Sequence, residues 1–377
     1  MSKRFILTLL IISIPIFSVF SSDTPLPGLR GEPLDLPDIS VLGDFYGKID
    51  DDNSSEDGFY VRSIELAFQG YIYPEMRADI FLAMHRHEDA LEPELCEGYV
   101  SFLKVLGGLS MKLGKVHVDF GKINRIHQHE RPYIDQPAVI TNFLGDHGLV
   151  GEGLDFSYLL PLPVFLQVDI GAWKIPAHTH EPKEVELQTL LVDSDGNTIK
   201  KILVPGKCGD EFGLAENVCT GRIWSSFSTG NYSEFELGLS GAKGKGSHYL
   251  HHLDESEVTG VDVTFRLWIS SFKRFIFQGE ILNLTRTVPP GTLNRQGFYS
   301  YLGYQFSKYW ETGLRYDNTD NAFPTNVRTN LISAVVTKKL TETTKLRFQY
   351  GYEPDSNKSV AYFQTVFGIG PHSHPLQ

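Results

Sequence analysis

The side chains best equipped for chemistry in this 377-residue chain are its 13 histidines, which fall in clusters. His127-x-His129, with His147 further on, lies in one glycine-bounded stretch, Gly121 to Gly151. His178-x-His180 lies in the next long connection, His248, His251 and His252 stand beside Asp254 and Glu255, and His372-x-His374 closes the chain. Neutral imidazoles accompanied by carboxylates suit zinc, and an H-x-H pair in a loop can turn both rings toward one ion. The candidate metal ligands are therefore His127, His129, His147, His248, His251 and His252, with zinc as the candidate ion. The competing reading is a set of solvated loop residues, since H-x-H alone is a weak signal. No Ser/His/Asp set has a spacing that commends it as a triad, so no enzyme is expected. His85 and His117, both on strand-like segments, are the imidazoles that would most change that expectation.

A second constellation is ionic. The same Gly121–Gly151 stretch carries Lys122, Arg125, Glu130, Arg131 and Asp135 without any strand period. Folded into a lumen, these opposing charges would shape ion selectivity. Otherwise the stretch is a cap over the mouth.

The elements that must position these groups are strands. Between Tyr60 and Tyr71, Ile64, Leu66 and Phe68 alternate with Ser63, Glu65, Ala67 and Gln69. After a Tyr73-Pro74-Glu75 turn, Ala78, Ile80, Leu82 and Met84 alternate with Arg77, Asp79 and His85. Period two means β-strand. A looser acidic segment and the Gly107-Gly108 turn follow, and the pattern repeats to the end of the chain. Strands of about ten residues, joined alternately by tight turns and longer polar loops, are the sign of a transmembrane antiparallel up-and-down β-barrel. The count is about 16 strands, within a range of about 14–18. The longer loops, which include a small hairpin around Asp195-Gly196-Asn197, would be extracellular and the short turns periplasmic.

In hydrocarbon every backbone polar group must be paired, and a closed barrel achieves this without an edge. One face of each strand then meets lipid. The other places Glu65, Asp79, Lys112, Asp262, Arg266, Glu280, Arg315, Lys345 and Arg347 in the lumen. A basic residue on the lipid face would cost about 2–4 kcal/mol at the midplane. At about 16 strands the interior is too wide for side chains to fill, so an aqueous channel is expected. Ion pairing within the lumen is the simpler role for any one of these charges. Tyr99, Trp173, Trp310 and Tyr350 are candidates for aromatic girdles.

Lys3-Arg4 followed by the apolar run Phe5 to Phe20 reads as a secretory signal peptide, residues 1–22. Residues 23–38 form a Pro- and Gly-rich lead-in and 39–377 the barrel. The formal charge of -12 argues against nucleic acid as a partner. Of three cysteines, Cys208 and Cys219 flank an irregular segment and could join in a loop disulfide, leaving Cys96 over.

Phe120-Gly121-Lys122-Ile123-Asn124-Arg125-Ile126-His127-Gln128-His129, followed by Asp135-Gln136-Pro137 and Asn142-Phe143-Leu144-Gly145, resembles a group of Gram-negative outer-membrane barrels. So do the opening Pro37–Phe45 and the ending Phe367–His374. That group is usually described as porins, phosphate-selective-porin-like proteins or zinc-regulated outer-membrane receptors. The resemblance implies location in the cell outer membrane and a porin-like channel for passive diffusion of ions or small hydrophilic solutes. A homotrimer is a possible assembly. The alternative is a zinc-binding uptake component using the loop histidines. An adhesin built on the long connection 174–222 is a further class.

Overall fold

The computed structural model describes residues 37–51, 57–87, 90–176, 212–247, 254–288, 291–323 and 327–371. Sixteen strands follow one another in chain order. They are β1 (Asp38–Asp50), β2 (Gly58–Tyr73), β3 (Met76–His87), β4 (Ala90–Leu106), β5 (Leu109–His117), β6 (Val150–Leu159), β7 (Phe165–Ile175) and β8 (Gly213–Gly230). After them come β9 (Ser233–Ser247), β10 (Asp254–Trp268), β11 (Arg274–Val288), β12 (Gly291–Gln305), β13 (Trp310–Asp320), β14 (Arg328–Lys339), β15 (Lys345–Glu353) and β16 (Lys358–Ile369). Each pairs antiparallel with its sequence neighbours, and β1 pairs with β16, Val41 opposite Ile369 through to Asp50 opposite Val360. Leu42 and Gly43 of the opening segment thus pair with Gly368 and Phe367 of the closing one where the cylinder shuts. Among the described residues no helix is long and apolar enough to cross a membrane, and crossing falls to the strands.

Alternation decides which face meets what. On β2 Ile64 is 39% exposed while the neighbouring Glu65 is 5% exposed. On β10 the same holds for Val261 and Asp262, and on β15 for Phe348 and Arg347. The outward face is an apolar belt. Around its short-turn rim stand exposed aromatic rings, among them Tyr71, Tyr73, Tyr232, Trp268, Phe272, Tyr309 and Trp310, as the interfacial preference of such rings requires. Tyr350 also faces outward. Tyr99 and Trp173 do not belong to a girdle. Tyr99 shares the inward parity of Asp79, its cross-strand partner, and Trp173 turns inward to donate from Nε1 to Thr220 Oγ1 at 2.8 Å.

Loop lengths follow the expected alternation with two departures. On the long-loop side, only two residues separate the ends of β3 and β4, and only two those of β11 and β12. The ladders there continue to His87 opposite Ala90 and Val288 opposite Gly291, so the acidic segment before Tyr99 is strand and not loop. Likewise β8 starts at Gly213. Cys219 therefore sits inside a strand, opposite Ala172 and Lys243, just after a register shift between Ala215 and Cys219. Cys208, the 185–204 hairpin, the leader 1–22, most of the lead-in and the histidines at 178, 180, 248, 251, 252, 372 and 374 lie outside the described residues.

The connection between β5 and β6, residues 118–149, turns into the barrel. It carries one short helix, α1 (Ala138–Leu144), whose Val139, Ile140, Phe143 and Leu144 are buried. With Phe120, Ile123, Ile126 and Tyr133 they pack against inward aromatics and aliphatics of the wall, including Tyr299, Tyr301 and Leu282. The core of this protein is the seam between that loop and the lumen wall.

Candidate constriction and histidine cluster

The loop is held at its root by one side chain. Asn124 Nδ2 donates to the carbonyls of Val118 (2.8 Å) and Leu149 (3.0 Å), and its Oδ1 accepts from Leu149 N–H (2.7 Å). One residue thus pairs three backbone groups from both ends of the loop. Gly121 stands at φ 61°, where a Cβ would collide with the Glu280 carboxylate. From there the backbone reaches across the lumen. Gly121 N–H donates to Ser240 Oγ (2.9 Å), Ile123 N–H to Glu280 Oε1 (2.7 Å), Ile134 N–H to Gln349 Oε1 (2.7 Å) and Ala138 N–H to Asp317 Oδ1 (3.1 Å). Arg62, on β2, donates to the Ile134 carbonyl (2.8 Å). Anchors on β2, β9, β11, β13 and β15 place the loop within the lumen and not over the mouth.

Lys122 Nζ reaches Glu236 at 2.8 Å, and Arg266 reaches the same carboxylate at 2.6 Å. Burial lowers the Lys122 pKa against the pull of Glu236. Arg125 lies 3.5 Å from Asp119 and stacks over Trp224, with Lys112 also 3.5 Å from Asp119. Burial raises the Asp119 pKa, but Lys112 and Arg125 outweigh it and hold the carboxyl down at about 2. Arg131 donates to the Ile126 carbonyl and to Gln136, so it braces the loop itself. Asp135 accepts from Arg315 at 2.7 Å, and Arg315 also holds Asp317 at 2.6 Å. Glu130 is exposed.

The remaining predicted lumen groups all occur on inward faces. Asp262 is paired with Arg222 (2.9 Å), Asp79 with Arg77 (2.8 Å) and Arg347 with Gln364 (3.2 Å). Glu280 accepts from Tyr299 at 2.9 Å, and Lys345 is half-buried at the start of β15.

On the β2–β5 side the loop meets the wall through imidazoles. His127 Nε2 is 2.8 Å from Glu97 Oε2, and its Nδ1 is 3.4 Å from Glu65 Oε2. The rings of His117 and His129 have centroids 5.2 and 5.5 Å from the His127 ring. His117 N–H donates to Glu97 Oε1 at 2.6 Å. Burial lowers the His127 pKa, but the hydrogen bonds with Glu65 and Glu97 outweigh it and push the value up to about 10. A neighbouring cavity of about 180 Å3 touches His117, His127 and Cys96. His147, grouped with His127 and His129 on sequence grounds, instead faces His85, which contacts Cys96 Sγ at 3.0 Å.

Glu97 and His117 were the residues sequence reasoning did not place with His127. The accessible signal for Glu97 was its inward parity with Tyr99, obscured because this part of β4 reads as irregular. For His117 it was its place at the end of β5, just before the loop that carries His127.

No family model matches the chain. An uncharacterized protein of Aquifex aeolicus (strain VF5) is 27% identical over 354 residues, 85% of this chain and 70% of that protein. Among solved structures, the in-vitro folded trimer form of OmpT, an outer membrane protein of Vibrio cholerae, superposes with a TM-score of 0.55 at 7% identity, covering 89% of this chain and 100% of that one. An anion-selective porin from Comamonas acidovorans gives 0.55 at 10% identity, covering 88% and 98%. OprB of Pseudomonas putida gives 0.54 at 12% identity, covering 88% and 94%. At these identities the likeness is one of fold, that of outer-membrane barrels.

Proposed function

We propose that this barrel is a porin-like channel of the outer membrane, through which ions or small hydrophilic solutes diffuse passively past the loop 118–149. The observation that carries the reading is that loop's anchorage to opposite walls, with Lys122, Arg125 and Asp135 among wall charges of both signs. A constriction of this kind narrows a wide cylinder and brings fixed charges close to whatever passes. The outward apolar belt and aromatic rim support residence in lipid, and the fold shared with porins supports conduction. The trimer form of OmpT makes a homotrimer a reasonable assembly. Among the described residues no arrangement of nucleophile and base recommends a catalytic role.

Single-channel recording of the refolded mature protein in a planar bilayer tests this. The expected result is steady conductance that rises when residues 125–147 are replaced by a short Gly-Ser link. Silence from protein shown to be folded would overturn it.

A further inference from the structure

We infer that Glu97, His117 and His127 form a binding site for a divalent transition ion of the zinc class, joining β4, β5 and the constriction loop. This is independent of whether the lumen conducts. One donor atom from each of the three residues lies within 4.8 Å of the others. Donors around tetrahedral zinc are about 3.3–3.6 Å apart, as follows from bonds of about 2.0–2.2 Å, so the widest pair closes by about 1 Å while His127 and Glu97, now 2.8 Å apart, open slightly to admit the ion. Such a displacement is within reach of small side-chain rotations. Two imidazoles and one carboxylate form the donor set of zinc sites that keep a fourth position open.

Three further observations support an ion here over a purely structural cluster. His117 Nδ1 is shielded from solvent and has no hydrogen-bond partner among the described residues. A buried imidazole nitrogen left without a partner carries a desolvation cost that coordination would remove. Glu97 is already oriented, since its Oε1 accepts the backbone N–H of His117 while Oε2 faces His127. Carboxylate ligands held by a second hydrogen bond are a regular feature of metal sites. Finally, the cavity beside His117 and His127 gives the open position somewhere to face, and Cys96 and Glu94 line that cavity. The donors combine nitrogen and oxygen, which suits Zn2+ or Co2+ and not a hard cation such as Mg2+ or Ca2+.

Glu65 and His129 lie on the other side of the His127 ring, where the three also bring donors within 4.8 Å of one another. The cavity also touches Glu65 and His129, so the preference rests on His117 Nδ1, which has no hydrogen-bond partner among the described residues.

The test uses the full mature chain, folded in detergent micelles and titrated with ZnCl2 and CoCl2. Folding is checked by heat-modifiable migration in gels. Expected are one tightly bound zinc and, with cobalt, the intense visible bands of a four- or five-coordinate ion. His117→Gln and Glu97→Gln should weaken that step by more than about tenfold and abolish the bands. His147→Gln should leave both unchanged. Undiminished binding in folded His117→Gln, or no tight zinc in the parent protein, overturns the site. If both variants fail to fold, anomalous scattering at the zinc edge from crystals of the parent decides. A peak between His117, His127 and Glu97 supports the assignment, and a peak elsewhere or none refutes it.

Discussion

The constriction loop meets its barrel in two chemically different ways. Along β9 to β13 it is held by ion pairs of lysine and arginine with carboxylates: Lys122 with Glu236, and Asp135 with Arg315, itself shared with Asp317. Along β2 to β5 the contact is His127 between Glu65 and Glu97, with His117 and His129 behind it. The first contact is a permanent fastening, because guanidinium is never neutral in a protein and pairs with carboxylate as a planar fork. The second can exchange a proton for a metal ion, because imidazole serves both. One loop can thus be rigid at one end and responsive at the other.

The largest expected effect sharpens the permanent side. Arg315→Met removes the partner of two carboxylates, one of them fully buried, and leaves charge uncompensated. A loss of about 3–5 kcal/mol is expected, read as a lower urea midpoint in detergent together with higher and noisier conductance. An unchanged midpoint would mean the fastening is not one.

Asn124→Ala comes next. It strips hydrogen bonds from the Val118 and Leu149 carbonyls and the Leu149 N–H, for about 2–3 kcal/mol in all. Limited proteolysis should then cut within 125–147 faster than in the parent, while the strands persist. Equal cleavage rates would place the hold on the loop elsewhere.

Lys122→Met should cost less, about 1–2 kcal/mol, because Arg266 still pairs with Glu236 at 2.6 Å. Its main readout is ion selectivity, shifted toward cations in reversal-potential measurements under a salt gradient. No shift would remove Lys122 from the conduction path.

The smallest effect is with pH. Asp119 has its pKa lowered in the folded state to about 2 by Lys112 and Arg125, against burial. Its contribution is therefore present above the ordinary carboxylate value near 3.8 and lost as pH falls through about 2. Thermal unfolding at pH 4 and pH 2, in the parent and in Asp119→Asn, should show a pH-dependent difference that narrows at pH 2. A constant difference would show that Asp119 does not pair with those cations.

Most of the wall was legible in the chain because period two survives wherever lipid and lumen oppose each other. Ile64 against Glu65 and Val261 against Asp262 need no tertiary information. Legibility failed where an inward position is apolar or aromatic. Tyr99 and Trp173 read as girdle residues because an aromatic ring suits both an interface and a packed lumen, and only strand parity separates them. It failed again in β4, where Glu92, Glu94 and Glu97 made a strand look like a loop.

The site itself was half visible. Lys122, Arg125, Asp135 and His127 stand in one segment, and the pairing of unlike charges could be anticipated. The partners of Lys122 and Asp135 could not, since Glu236 and Arg315 lie more than a hundred residues along the chain. Local patterning by itself determined the barrel, a strand number near 16 and the faces of most strands, because alternation is a property of neighbouring residues, while the count of sixteen came from the structure. Only the tertiary structure decided that the loop enters the lumen and that Glu97 and His117 stand beside His127. Both depend on closing β1 onto β16, which sets the wall positions that a single inward loop can reach.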